Sequence, residues 1–227
     1  MEQQAAKAEI LSRIRNGKPK DCPLPDVPMY AWPGDPLANF IERLLGFDGR
    51  AVKFRSRDEA LDWLKTQPGF AGGNGKIYSS AEGLPGTAGE EEVADPHDAH
   101  KIDICVTEGE TGVGETGSIW VTDRSLKHAA CALLAPTLYI LLDKNRIVGG
   151  MHEAYAGIRL GEQQYGAFYS GPSATADIEA VRITGAQGPL SMTALIYNCG
   201  DAPDVPELLA NPNADKSVWT KVLQEKI

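Results

Sequence analysis

The chain has no C-x-x-C pair: its four cysteines, Cys22, Cys105, Cys131 and Cys199, are scattered. Such spacing closes no zinc or iron–sulfur motif and lays out no disulfide framework, so free and mostly buried thiols are expected. A membrane-spanning run is missing too. The most apolar stretch, Ala129 to Leu142, is interrupted by Pro136 and Thr137 and falls short of the ~20 apolar residues that a spanning helix requires. The opening MEQQAAKAEILSRIR shows no charged start, apolar core and cleavage site of a secretory signal. It reads instead as an amphipathic helix with Ile10, Leu11 and Ile14 on one face, and a cytoplasmic chain is expected. Clustered positive charge is also scarce. A net charge of -9 argues against a nucleic-acid partner, because phosphate binding needs grouped Lys and Arg to displace counterions.

What is present suffices for one sizeable core without disulfides or metals, since 42% of the 227 residues are hydrophobic. The expected organisation is an N-terminal helix and Pro-rich strap over 1–36, an α/β domain over 37–199, and a C-terminal extension with a short helix over 200–227. The strap follows from five prolines between Cys22 and Pro36, which hold the backbone extended. Tyr30 and Trp32 are the side chains expected to pin it.

Leu37, Phe40, Ile41, Leu44 and Leu45 repeat at helical spacing, Ala51 to Phe54 alternates as a strand, and Asp58 to Thr66 reads as a helix. Seven glycines between Gly69 and Gly89 indicate a long loop or lid. Strands at Ile102 to Val106, Ser118 to Val121, Leu138 to Leu142 and Met192 to Tyr197 alternate with helices over Arg124 to Leu134 and Gly149 to Leu160. The pattern predicts an α/β fold of three layers, a parallel or mixed sheet covered by helices on both faces.

Gly112, Gly114 and Gly117 fit G-x-G-x-x-G, but Ser118 to Val121 continues as a strand, whereas a dinucleotide fingerprint must open a helix. Around Lys76, Phe70 and Ile77 occupy positions that a phosphate-binding loop reserves for Gly and for Ser or Thr. Asp95, His97, Asp98 and His100 carry metal-ligating groups, yet Pro96 breaks their segment and no periodicity converges them; a solvent-exposed loop without metal is expected.

The stretch from Phe168 to Thr193 is the best place for ligand contact. An apolar strand ends at Gly171-Pro172, and Ser173 or Thr175 is positioned to cap a helix whose free N–H groups face an approaching ligand. Asp177 and Glu179 would put negative charge in its first turn, each favoured by ~0.3–1 kcal/mol and opposing a phosphate by as much. A neutral or cationic ligand group, or a basic side chain such as Arg182, fits better. A second Gly-rich corner, Glu115-Thr116-Gly117-Ser118, enters a strand, where open sheets gather ligands.

The run GPSATADIE from Gly171 to Glu179, followed by GAQGP from Gly185 to Pro189, resembles the LUD-domain family, which includes lactate-utilisation protein C. Glu115 to Ser118 before a strand, and Leu138 to Leu142 leading to Arg146-Ile147-Val148, resemble that family's middle segments, so the likeness runs from Phe40 to Asn198. One departure is Gln187, where the family pattern calls for His before Gly188-Pro189; an acid–base role at that position is not expected here.

The resemblance implies a fold related to the sugar-phosphate isomerases and CoA transferases, and a subunit of a machinery that oxidises L-lactate to pyruvate. It implies iron–sulfur clusters carried by partner proteins and a small acid or its derivative as ligand, with no cofactor held by this chain. Glu115 and Asp177 are the catalytic candidates, Glu115 by analogy with the loop carboxylate that attacks the thioester in CoA transferases. Thr116, Gly117, Ser118, Gly171, Ser173, Thr175, Glu179 and Gly188 are the ligand-contact candidates. Two alternatives stand beside the lactate reading: a free-standing enzyme of CoA-transferase or isomerase type, and a small-acid-binding module without chemistry.

Overall fold

A computed structural model describes residues 2–18, 25–26, 28–73, 75–159, 161, 163–177 and 182–210. Cys22, Glu179 and the short helix expected near the C-terminus, within 211–227, lie outside the described residues.

Helix α1 (Glu2–Asn16) leaves Ile10, Leu11 and Ile14 exposed. Helix α2 (Pro36–Gly46) starts where Asp35 accepts the Ala38 N–H and proline fills the first turn, a position where its missing N–H costs nothing. It buries Phe40 and Leu44. Strand β1 (Arg50–Lys53) follows. Helix α3 (Arg57–Lys65) is capped by Ser56, whose hydroxyl accepts the Glu59 N–H, and it buries Ala60, Leu61 and Leu64.

The main sheet is built from β1, β2 (Ile77–Ser79), β3 (Ile104–Glu108), β6 (Thr137–Asp143), β11 (Ser191–Tyr197) and β12 (Leu209–Ala210), in the order β12-β1-β11-β6-β3-β2. All neighbours are parallel except β12, which runs antiparallel to β1 at the edge. The period-2 alternation of the central strands divides the core. Leu138, Ile140 and Leu142 of β6, with Met192, Ala194 and Ile196 of β11, join the larger cluster that contains Phe40 and Leu44. Leu141 and Leu195 face the other way, onto Ala60, Leu61 and Leu64 of α3. Each fully buried leucine, isoleucine, phenylalanine or methionine among these contributes about 1.5–3 kcal/mol relative to exposure.

The larger cluster is closed by α2, by α4 (Ala129–Leu134) and by a second sheet that sequence patterning did not indicate. Its strands are β4 (Thr111–Val113), β5 (Ser118–Thr122), β7 (Ile147–Val148) and β8 (Gly166–Tyr169), in the order β7-β4-β5-β8. The α/β fold with both faces of the main sheet covered is thus as expected, with strands as well as helices in one covering layer.

Four expectations about elements are corrected. The helix over Arg124 to Leu134 is confined to α4, because the Ser125 and Leu126 N–H groups turn back onto the Thr122 carbonyl. The segment from Gly69 to Gly89 is not one continuous loop; β2 lies within it, with the Ala88 N–H donating to the Ile77 carbonyl. Among the described residues no helix opens at Ser173 or Thr175. Ala174–Thr175 is a strand, β9, paired antiparallel with β10 (Ile183–Thr184), and the Thr175 hydroxyl donates to Asp177 at 2.7 Å. The helix α5 (Met151–Gly157) is shorter than the Gly149 to Leu160 expected, and residue 160 is not among those described. In the strap, Trp32 is half-buried and packs over Gly149 and Gly150, while Tyr30 stays 70% exposed.

Candidate functional site

The two Gly-rich corners do meet. The Ser170 hydroxyl donates toward the carbonyls of Thr116 and Gly117 at 3.2 and 3.3 Å. Gly117, at φ +62°, presses its Cα against the backbone of Arg43 and Leu44, and Gly171, at φ +75°, lies against Phe47. Ser173 donates its N–H to Pro189, while the Leu190 N–H reaches the Pro136 carbonyl. Gly188 in turn packs on Ser173. Pro136 directly precedes β6 and Pro189 lies two residues before β11, so this corner lies at the amino ends of the parallel strands.

The side chains there are occupied locally. Glu115 Oε2 accepts the Met151 N–H at 2.9 Å, an acceptor at the start of α5, where negative charge is favoured by the helix dipole. Thr116 and Ser118 share a 2.6 Å hydrogen bond, and Ser118 is buried. Asp177 is exposed. None of these residues lines the clefts described next.

A group of adjoining clefts lies on the opposite edge, over the carboxyl ends of β2 and β3 and the segment after β6. A cleft of about 410 Å3 is lined by Tyr78, Ser80, Leu84, Glu90, Arg124, Ser125 and Lys127 among others. A second, of about 400 Å3, adds Glu108, Glu110 and Arg146 and shares Ser80, Arg124 and Ser125. A third, of about 170 Å3, shares Glu110 and Arg124 and is bounded by Trp120, Arg159 and Gln163. Arg124 therefore borders all three. In open α/β sheets ligands bind outside the carboxyl ends of the strands, where loops diverge.

A hydrogen-bonded chain holds the floor of this edge. The Ser80 hydroxyl donates to Thr107 Oγ1 at 3.1 Å, and the fully buried Thr107 donates to the Ser125 carbonyl at 3.0 Å. The strand-end carboxylates are engaged: Glu108 with Arg57 at 2.5 Å, Glu110 with the Thr122 hydroxyl, and Glu90 with Lys127 at 2.5 Å. Hydrogen bonding to Lys127 holds the Glu90 carboxyl below its ordinary value, and burial pushes the Tyr78 phenol up to about 12. Arg146 makes no ion pair among the described residues. With the nearest carboxylates engaged and the Arg146 guanidinium on the rim, the edge is chemically suited to a small anion bearing hydroxyl groups.

Among the described residues no group of His, Cys, Asp and Glu is arranged to hold a metal ion. Asp95 caps a short turn by accepting the His97 N–H. No helix among them is long and apolar enough to cross a membrane.

Ser80, Glu108, Glu110, Arg124, Ser125 and Arg146 were not singled out by the sequence. The available signal was positional: each lies at or just beyond the carboxyl end of a strand, whereas Glu115 was chosen at the entry to one.

This architecture, a covered sheet with a polar cleft along its carboxyl edge, is that of an α/β domain. The chain belongs to the LUD domain family, whose sequence profile matches residues 42–197. Among solved structures, a DUF162 family protein from Deinococcus radiodurans shares the fold with a TM-score of 0.51 at 18% identity, over 71% of this chain and 96% of that one. No curated protein matches the chain. The family is linked to lactate utilisation.

Proposed function

We propose that this chain is a cytoplasmic accessory or substrate-binding subunit of a lactate-utilisation system, in which L-lactate is oxidised to pyruvate and the two electrons pass to iron–sulfur clusters in partner proteins. The observation that carries the reading is the match to the LUD domain family over residues 42–197. Two features of the molecule support it. The cleft at the carboxyl edge offers Arg146 beside the hydroxyls of Ser80 and Ser125, a set suited to a short hydroxy acid. Cys105, Cys131 and Cys199 are buried one by one, in keeping with cluster chemistry on a partner.

The test is to tag the protein in its native host, purify it anaerobically, and determine iron and co-purifying proteins, alongside growth of a deletion strain on L-lactate. Recovery of cluster-bearing proteins together with lost lactate growth is expected. An iron-free protein recovered alone, with lactate growth intact after deletion, sinks the proposal.

A further inference from the structure

The amino end of the main sheet takes no part in the clefts at its carboxyl edge, yet it has a cleft of its own. On the face covered by α3, a space of about 300 Å3 is lined by Arg50, Trp63, Thr137, Tyr139, Ser191 and Thr193 among others. Strand register explains how they meet. Arg50 pairs with Thr193, and Thr193 with Tyr139, in one row across β1, β11 and β6, while Ser191 pairs with Thr137 in the row before. Each lies an even number of residues before Val52, Leu141 or Leu195, which pack on α3, so the alternation of a strand puts all of them on that same face.

Central parallel strands covered on both faces read as continuous apolar runs. The amino halves of β6 and β11 depart from this, reading Thr137-Leu138-Tyr139 and Ser191-Met192-Thr193, with Leu138 and Met192 in the larger core cluster and the hydroxyls on the α3 face. These hydroxyls make no side-chain hydrogen bond among the described residues, and neither does the Arg50 guanidinium, which has no ion pair there either. Thr193 is only 3% exposed, and a polar group so placed normally has a partner. Charge is a second, independent observation. Each cleft at the carboxyl edge includes a glutamate, whether Glu90, Glu108 or Glu110, whereas the lining of this one has no acidic residue. In a chain of net charge -9, an unpaired arginine in a carboxylate-free cleft attracts an anion.

The walls are aromatic. Trp63 sits in the last turn of α3, where the Gln67 amide donates to its carbonyl at 3.2 Å. Its ring meets Tyr139 edge-on at 6.4 Å between centres and Phe54 at 5.7 Å. Pro68 and the 46% exposed Leu208 complete the rim. Burial raises the Tyr139 phenol above its ordinary value, against a smaller lowering by Arg50, so at neutral pH the hydroxyl is protonated and can donate. The volume is at the lower limit of small-molecule sites, enough for a single ring and too small for a dinucleotide.

We propose that this cleft is a binding site for an aromatic carboxylate, a single planar ring bearing one negative charge. The carboxylate takes paired hydrogen bonds from the Arg50 guanidinium and further ones from the Thr193 and Tyr139 hydroxyls. The ring lies against Trp63, with Pro68 and Leu208 at its outer edge. One guanidinium matches one negative charge, whereas a dianionic phosphate would leave a charge without a partner. The site is separate from the clefts at the carboxyl edge and does not rest on the lactate-utilisation reading. Binding makes and breaks no covalent bond.

The test uses the full-length protein and titration calorimetry with benzoate, benzamide, acetate and phenyl phosphate. Benzamide keeps the ring and lacks the charge; acetate keeps the charge and lacks the ring. The wild type should bind benzoate about tenfold or more tighter than either, and tighter than phenyl phosphate. Arg50→Gln, at an exposed position, should weaken benzoate by about tenfold, the loss of one charge-assisted contact, and leave benzamide unchanged. Trp63→Leu should weaken benzoate while leaving acetate unchanged.

No binding of benzoate, equal affinity for benzoate and either benzamide or acetate, or unchanged benzoate affinity in folded Arg50→Gln overturns the site. Tighter binding of phenyl phosphate than of benzoate overturns the choice of a carboxylate. The wild-type comparison decides even if Trp63→Leu fails to fold. Growth on L-lactate has no bearing on either result, so this site and the lactate system stand or fall separately.

Discussion

Glu115 Oε2 sits 2.9 Å from the Met151 N–H, and that contact gives the residue a structural role that is separable from chemistry. Its carboxylate satisfies one of the backbone donors that a helix start leaves unpaired. Glu115→Ala should therefore lower stability by about 1 kcal/mol, whereas Glu115→Gln, which keeps an acceptor oxygen, should cost only a fraction of this. Urea denaturation of the two variants checks it, and equal midpoints would remove the contact from the account. Gly166 makes a different point at the same scale. A methyl group there would meet the Trp120 indole at 2.4 Å, so Gly166→Ala must displace the ring that walls the small cavity. Overpacking of this kind costs about 1–3 kcal/mol. The expected result is a lower midpoint together with altered tryptophan emission; an unchanged spectrum would mean that the ring does not lie over this strand.

Helix α2 and the hairpin between β4 and β5 are locked by one residue. Gly117 combines φ +62° with a built Cβ only 2.3 Å from the Leu44 nitrogen, so alanine meets both a left-handed backbone and a rigid neighbour. Gly117→Ala should cost about 2–4 kcal/mol and lower the melting temperature by roughly 5–15 °C, while Gly72→Ala, with nothing within 4 Å of its Cβ, should move it little. Scanning calorimetry of the pair separates the two. Elements built from long periodic runs, such as β6, β11 and α2, were legible in the sequence, because burial on one face repeats often enough to be counted. The second sheet was not: β4 has three residues, one of them Gly112, and β7 has two, too few for a period. The misread corner has a chemical cause. Ser173, Thr175, Asp177 and Glu179 satisfy the pattern of a capped helix start, yet the hydroxyl of Thr175 serves Asp177 within a turn, and short polar side chains support either structure equally well. The cleft escaped notice for a third reason, since its residues come from separate strand ends and only the parallel order of the sheet brings them to one edge.

At the scale of the whole molecule, the acidic balance of the surface and the buried thiols and phenols of the core act at opposite ends of the pH range. The carboxyls of Glu90, Glu92 and Asp204 are held below their ordinary values by hydrogen bonds to Lys127, Lys76 and Arg55, respectively. Such groups favour the fold above their unfolded pKa and lose that contribution as the pH falls through the folded one, but they are exposed and solvent screens them, so the acid effect should be shallow. The alkaline side should be steeper. Burial pushes the Cys131 thiol from 9.0 up to about 11 and the Tyr78 phenol from 10.0 up to about 12, and both belong to the larger core cluster. For a group whose folded pKa is raised, the stabilising contribution is complete below the unfolded value and disappears as the pH rises through the folded value. Urea midpoints should hold steady up to about pH 9 and then fall continuously to about pH 12. Cys131→Ala and Tyr78→Phe should each flatten part of that fall, the first from its onset and the second from about one unit higher. A fall of the same steepness in both variants would assign alkaline unfolding to other groups, such as the raised Cys105 and Tyr169, and would show that the region between α4 and β2 does not limit the stability of this fold.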